Sequence, residues 1–193
     1  MYHYAGNNPV RFVDPDGRKI NLSDDATLEQ VLEYNRAIEY LLKSERASSI
    51  IKKLEQSPYV FTIHFNDEDN DSYDFTKGII NWDCNSGLVT RKEDVQSAAL
   101  GLIHEMGHAE QFLSLELFKL GTTEKIESNN LKKTENLIAE QLCEPKRKDY
   151  YDAKGVISMK DSISSYNKEI IQQKRNQIKN KFKYYYSLYA QKN

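Results

Sequence analysis

Apolar positions recur at helical spacing from Ser23 onwards. Leu28, Val31, Leu32, Ile38, Leu41 and Leu42 fall on one face, with Ser23 placed as the N-cap. SERASS (44–49) is a weak break, and Ile50, Ile51 and Leu54 resume the stripe up to Ser57-Pro58. The period then changes to two. Val60 to Phe65 is rich in β-branched and aromatic residues and reads as a strand, and Gly78 to Asp83 as a second. The acidic stretch NDEDNDSYD between them reads as a solvated hairpin loop. Asp67, Asp69 and Asp71 take positions 1, 3 and 5 of a calcium loop, but Ser72 and Gly78 stand where an EF-hand needs Gly and Glu. After Asn85-Ser86-Gly87 a helix is predicted from about Arg91 to Leu113. A polar connection, GTTEKIESNN, leads to a third helix ending near Leu142. Lys146 to Gly155 reads as a loop, and the segment after Ser162 as a final helix. Two strands among helices make the fold class α+β, mostly helical with a small β-sheet.

Composition narrows this picture. At 193 residues the chain suits one domain that needs no disulfide to fold, and its seven Phe, one Trp and 13 Tyr can furnish a core. No apolar run approaches the ~18 residues of a membrane span, and the N-terminus lacks the apolar stretch of a signal peptide. Cys84 and Cys143 have no metal-knuckle spacing and read as reduced thiols. The net charge of -2 conceals an asymmetry: residues 167–193 carry seven Lys/Arg against one acid, so the other 166 residues carry 20 bases and 28 acids. Such a basic, Tyr-rich end is either a helix with a solvated face, the plainer reading, or a handle for nucleic acid or membrane.

Residues 1–20 are dense in turn formers, Gly6-Asn7-Asn8-Pro9 and then Asp14-Pro15-Asp16-Gly17. Their spacing, Y-x-Y-x-x-N-N-P-(x)4-D-P-x-G, resembles the signature that closes the RHS-repeat core of bacterial polymorphic toxins. That resemblance implies that residues 1–20 end an RHS-like core and that 21–193 stand where a variable toxin domain follows.

The chemistry concentrates in SAALGLIHEMGHAEQFL, which holds H-E-x-x-H at His104, Glu105 and His108. On a helix two His at i and i+4 share a face and reach one metal ion, while Glu105, about 100° further round, can accept a proton from an attacking water. Leu102, Met106, Ala109 and Leu113 form the apolar back of this helix, and Gly107 permits close packing. A catalytic zinc needs a third protein ligand. The other histidines, His3 and His64, lie far upstream and Ser114 occupies the metzincin position, so a downstream carboxylate is expected. Glu127, Leu131, Glu135, Ile138 and Leu142 lie near one helical face, and Glu135, within that apolar stripe, is the preferred ligand, with Glu127 as the alternative.

The order IINWD, LIHEMGHA, TENLIAEQLCEPKRKDYY also resembles zinc effector proteases of the NleD type and related metallopeptidase domains behind RHS cores, over about residues 78–151. Glu135, Asn136, Ile138, Leu142, Pro145, Arg147 and Tyr150 fill the relatives' E-N-x-I-(x)3-L-(x)2-P-x-R-(x)2-Y. Those relatives carry a ligand Glu seven residues before the E-N pair, where this chain has Ser128, so the neighbouring Glu127 or Glu135 itself takes that role. The resemblance implies a zincin-like, gluzincin-type zinc metallopeptidase toxin that cleaves a protein inside a target cell. It further implies a cognate immunity protein and export by a dedicated machine. Tyr150 and Arg147 then either hydrogen-bond the oxyanion or, more plainly, anchor the loop. The alternatives are a nucleic-acid-targeting toxin acting through the basic end and a non-catalytic zinc-binding module. Nucleic acid is not the expected partner, because no magnesium-binding acidic cluster or His-Asn-His arrangement is found.

Overall fold

A computed structural model describes residues 19–67 and 70–166. The turn-rich start and the basic end, with its predicted final helix, lie almost wholly outside them. The architecture is mixed, with helices packed on two small sheets.

The first sheet has the order β1-β2-β4-β3: β1 (Ile20–Leu22), β2 (Phe61–Phe65) and β4 (Ile79–Trp82) are parallel, and β3 (Ser72–Asp74) runs antiparallel on the edge. In β2, Phe61, Ile63 and Phe65 point into the core while His64 faces out, the alternation read from the sequence. Because β2 and β4 are parallel, the acidic stretch between them is not a hairpin loop. Its described end forms β3 on the sheet edge, antiparallel to β4, and the chain turns back at Gly78. Gly78 has φ +67°, and a Cβ there would lie 2.7 Å from the Val60 carbonyl oxygen, so the turn requires glycine.

Between β1 and β2 run α1 (Leu28–Leu41) and α2 (Glu45–Glu55). The cap of α1 is Thr27 and not Ser23: Thr27 and Gln30 form a capping box, whereas the Ser23 N–H donates to Ile63 O at 2.9 Å and prolongs the strand. The inward face of α1 also differs from the expected stripe. Val31, Ala37 and Leu41 are buried, while Leu28, Leu32 and Leu42 face solvent. In α2, Ser44 caps the helix and Ile50, Ile51 and Leu54 are buried as expected.

The second sheet has the order β6-β5-β7, with β5 (Ser86–Val89), β6 (Val95–Gln96) and β7 (Gly155–Ser158) all antiparallel. None of these strands is legible as a periodic pattern. Because β6 claims Val95 and Gln96, the central helix α3 (Ala98–Leu113) starts at the Ser97 cap and not near Arg91. The polar connection is likewise mostly helical: α4 (Glu116–Leu120) and α5 (Thr123–Asn130) precede a π-turn (131–135) and α6 (Asn136–Gln141). Both cysteines are free.

Helix α3 is buried nearly all round. Leu102, Met106 and Ala109 form its apolar back, and the fully buried Trp82 donates from Nε1 to Ala98 O at 2.8 Å. Glu144 fastens the same end, accepting from Ser97 N–H at 2.8 Å, Ser97 Oγ at 2.6 Å and Tyr40 Oη at 2.9 Å. At the other end Arg46 of α2 forks onto Glu110, and its Nε donates to Lys133 O at 2.8 Å, tying α2, α3 and the π-turn together. Burial opposes the Glu110 charge, but Arg46 and Lys53 hold its carboxyl below the usual range.

Replacing Arg46 with Met should therefore destabilise the protein by about 1–3 kcal/mol at neutral pH, measured by urea denaturation. A carboxylate with a lowered folded pKa contributes stability above its unfolded pKa and loses it as pH falls through the folded one. The difference between wild type and Arg46→Met should accordingly shrink below pH ~4.

Candidate metal centre and its cleft

His104 and His108 project from successive turns of α3 with ring centroids 4.9 Å apart. Each ring has a partner on Nδ1 that leaves Nε2 directed to a common point. His108 Nδ1 lies 2.8 Å from Gln111 Oε1, while the Gln111 amide donates to Ile126 O and Asn129 Oδ1, both at 3.1 Å on α5. His104 Nδ1 lies 2.8 Å from Glu135 Oε2, an ion-pair contact too oblique for a straight N–H···O bond. At the common point stands one carboxylate oxygen, Glu127 Oε2, 3.2 Å from His104 Nε2 and 3.3 Å from His108 Nε2.

His104, His108 and Glu127 thus form a cluster that can hold a metal ion, with one donor atom from each within 4.8 Å of the others. Ligand bonds of ~2.1 Å in a tetrahedron give edges of roughly 3.4 Å, close to the two contacts to Glu127. Electrostatics agree with the geometry. Burial opposes protonation of His104, yet the carboxylates of Glu127 and Glu135 carry its pKa up to about 10. The imidazoles in turn hold Glu127 at about 2 against its own desolvation. Such a cluster stabilises positive charge at its centre, which is what a divalent cation supplies.

The preferred third ligand of the sequence reading, Glu135, is placed elsewhere. It sits on the far nitrogen of His104, receiving Arg147 through a bidentate pair whose Nε–Oε1 distance is 2.7 Å, and Gln96 Nε2 at 2.8 Å. Its burial is therefore compensated by hydrogen bonds and by the guanidinium, which with His104 keeps its carboxyl at about 2. The alternative, Glu127, is the one that meets both Nε2 atoms. Neither Glu140, which pairs with Lys146, nor Glu144, spent on Ser97, approaches the cluster.

The π-turn explains how both carboxylates reach one histidine. Eight residues of α-helix turn through about 800°, leaving Glu135 about 80° round from Glu127. The wider π-turn at 131–135 removes most of that offset. It packs tightly against α3: a Cβ on Gly107 would lie 2.2 Å from Asn130 Oδ1 and 2.8 Å from Thr134 Cγ2, and Asn130 Nδ2 donates to His104 O at 2.8 Å.

Glu105 is buried beside the cluster, and burial raises its carboxyl above the usual range against the pull of both imidazoles. All four residues open on a cleft of about 1040 Å3. Its walls carry Leu88 and Val156 of the second sheet, Phe75 beyond β3, Phe118 of α4, and the adjacent Tyr150 and Tyr151. Arg147 anchors the loop bearing these tyrosines: Asn136 brackets its backbone, with Nδ2 donating to Arg147 O at 2.8 Å and Oδ1 accepting Arg147 N–H at 3.0 Å. Its guanidinium is spent on Glu135 and on the Tyr150 carbonyl, while Tyr150 itself lines the cleft.

Sequence reading overlooked Gln96, Gln111 and Asn130, and it misplaced Asp71. Gln111 was open to discovery, since at i+3 from His108 it shares a helical face. Gln96 and Asn130 arrive from other elements and carry no local signal. Asp71, assigned to a solvated loop, instead lines the cleft and accepts the Asp83 N–H at 2.8 Å. Burial pushes its carboxyl to about 7, the Asp83 N–H opposing and the Glu105 and Asp83 charges adding.

Compared with known protein families, curated proteins and solved structures, the chain matches none. Among the described residues no helix is long and apolar enough to cross a membrane.

The centre predicts its own metal behaviour. About one divalent metal ion per chain should be found by elemental mass spectrometry on protein prepared without chelator, and Glu127→Gln should lose it. Glu135→Gln should keep the site with affinity weakened about 10–100-fold, as for a residue that orients a ligand. Metal must displace the His104 proton, so affinity should rise with pH, by up to ~10-fold per unit, until about pH 10. Competition with a chromophoric chelator at several pH values measures this.

Proposed function

We propose that this protein is a zinc-dependent endopeptidase, a toxin effector exported to act on a protein in the cytoplasm of a target cell and held in check by an immunity protein in its producer. The observation that carries the peptidase reading is the convergence of His104, His108 and Glu127 on one point, with a buried Glu105 beside it in a large cleft. The toxin context rests on the likeness of residues 1–20 to an RHS-core terminus and of 78–151 to NleD-type proteases. A zincin-like arrangement accounts for the mixed sheet with an antiparallel edge strand beside the helix bearing the motif.

Bound here, zinc lowers the pKa of water towards ~7 and polarises a carbonyl. The remaining work belongs to the chain. Glu105 accepts the proton of the attacking water and delivers it to the leaving amine. Its burial keeps competing water away and raises its basicity. Glu135, clamped by Arg147 and Gln96, holds His104 in orientation. Tyr150 donates to the developing oxyanion. Burial and the Glu127 charge raise its phenol above the ordinary value, so the proton stays in place to be shared. An extended substrate lies along β3, which among the described residues pairs with β4 alone and leads into the cleft through Ser72 and Tyr73. The strand within 78–83, β4, lies between β2 and β3 and so has no free edge to offer.

In a peptide-library assay with the zinc-loaded protein, Glu105→Gln should lower kcat at least ~10³-fold while retaining the metal. Tyr150→Phe should lower kcat about 10²-fold with little change in KM. Failure of the wild type to cleave any peptide or protein while carrying one zinc would leave only metal binding standing.

A further inference from the structure

Asp71 is a carboxylate that the chemistry above does not use. It stands at the foot of β3 and lines the cleft. Its Oδ1 is fixed by the Asp83 N–H. Its Oδ2 lies over Gly101, where an added Cβ would come within 2.3 Å, so the bare glycine makes the space that the carboxylate fills. Gly101 precedes Glu105 by one turn of α3, on the same face.

Two of the other three cleft carboxylates are matched directly by cations, and Glu105 lies beside both imidazoles. Glu135 has Arg147, and Glu127 has two imidazoles. Among the described residues no lysine or arginine pairs with Asp71; Arg147 is committed to Glu135, and Arg91, the cleft's other arginine, makes no ion pair with it. A desolvated carboxylate beside the Glu105 and Asp83 charges, drawn on only weakly by His104, is costly, and a cation arriving in the cleft offsets that cost.

Resting on the peptidase reading, we propose that Asp71 determines specificity: it receives the ammonium or guanidinium group of a lysine or arginine in the peptide substrate, seating that residue one helical turn from Glu105. The buried acid at one point and the aromatic walls elsewhere together select a peptide with a basic residue among bulky apolar ones.

The test compares N-acetylated peptides containing Lys or its uncharged isostere norleucine, using zinc-loaded wild type and Asp71→Asn. The Asn variant keeps an acceptor for the Asp83 N–H, and Gly101→Ala, which displaces the carboxylate, serves as a second variant. Wild type should prefer the Lys peptide about 10–100-fold in kcat/KM, and both variants should reduce that ratio to within ~3-fold. An unchanged ratio in folded variants overturns the proposal and leaves the peptidase reading intact. Preference confined to peptides with a free amino terminus overturns the side-chain assignment. If nothing is cleaved, fluorescence anisotropy of the same labelled peptides decides: tighter binding of the Lys peptide that requires Asp71 upholds the cation site without the peptidase, and equal binding sinks it.

Discussion

A helix buried on nearly every side cannot carry polar side chains unless other elements satisfy them. That constraint organises this protein around α3, whose His104, Glu105 and His108 all lie out of water. Each neighbour brings a specific answer. Gln111, one turn on, fixes His108; the π-turn brings Glu135 to His104; β6 supplies Gln96 to Glu135; the following loop supplies Arg147. Removing any one leaves a buried charge or dipole exposed to an apolar surrounding, so the parts stand or fall together.

The same constraint sets the division of labour between two glutamates on one helix-turn-helix run. Glu135 is 2% exposed and surrounded by donors, which makes it a good support and a poor ligand, because three donors already engage its two oxygens. Glu127 is only half-buried, and among the described residues its ion pairs are with the two imidazoles alone, so its charge stays available. Two carboxylates of identical chemistry are separated in role by their surroundings alone.

Much of this was legible from the chain. The H-E-x-x-H spacing located the centre, the alternation in 60–65 located a core strand, and the stripe 127–142 located the helix that faces the histidines. What escaped was non-local. Helical periodicity predicts that Glu135 points inwards, but not that Arg147 will be waiting for it. Nor does it predict that a π-turn will rotate Glu127 into place beside it. The strands β5, β6 and β7 are two to four residues long, too short for a period to register, and exist because they pair with one another. Leu28 and Leu32 misled for the opposite reason: apolar residues also occur on surfaces, and the pattern alone cannot tell which of two adjacent stripes is covered.

Trp82 has a further consequence. It is the chain's single tryptophan, fully buried at the end of β4, with its ring N–H bound to the first turn of α3. An indole in such an apolar setting emits at short wavelength, and its spectrum reddens when water reaches it. The protein therefore carries a built-in optical reporter at the joint between its sheet and its central helix. Any event that lifts α3 from the sheet will register as a red shift of that ultraviolet emission, without a label.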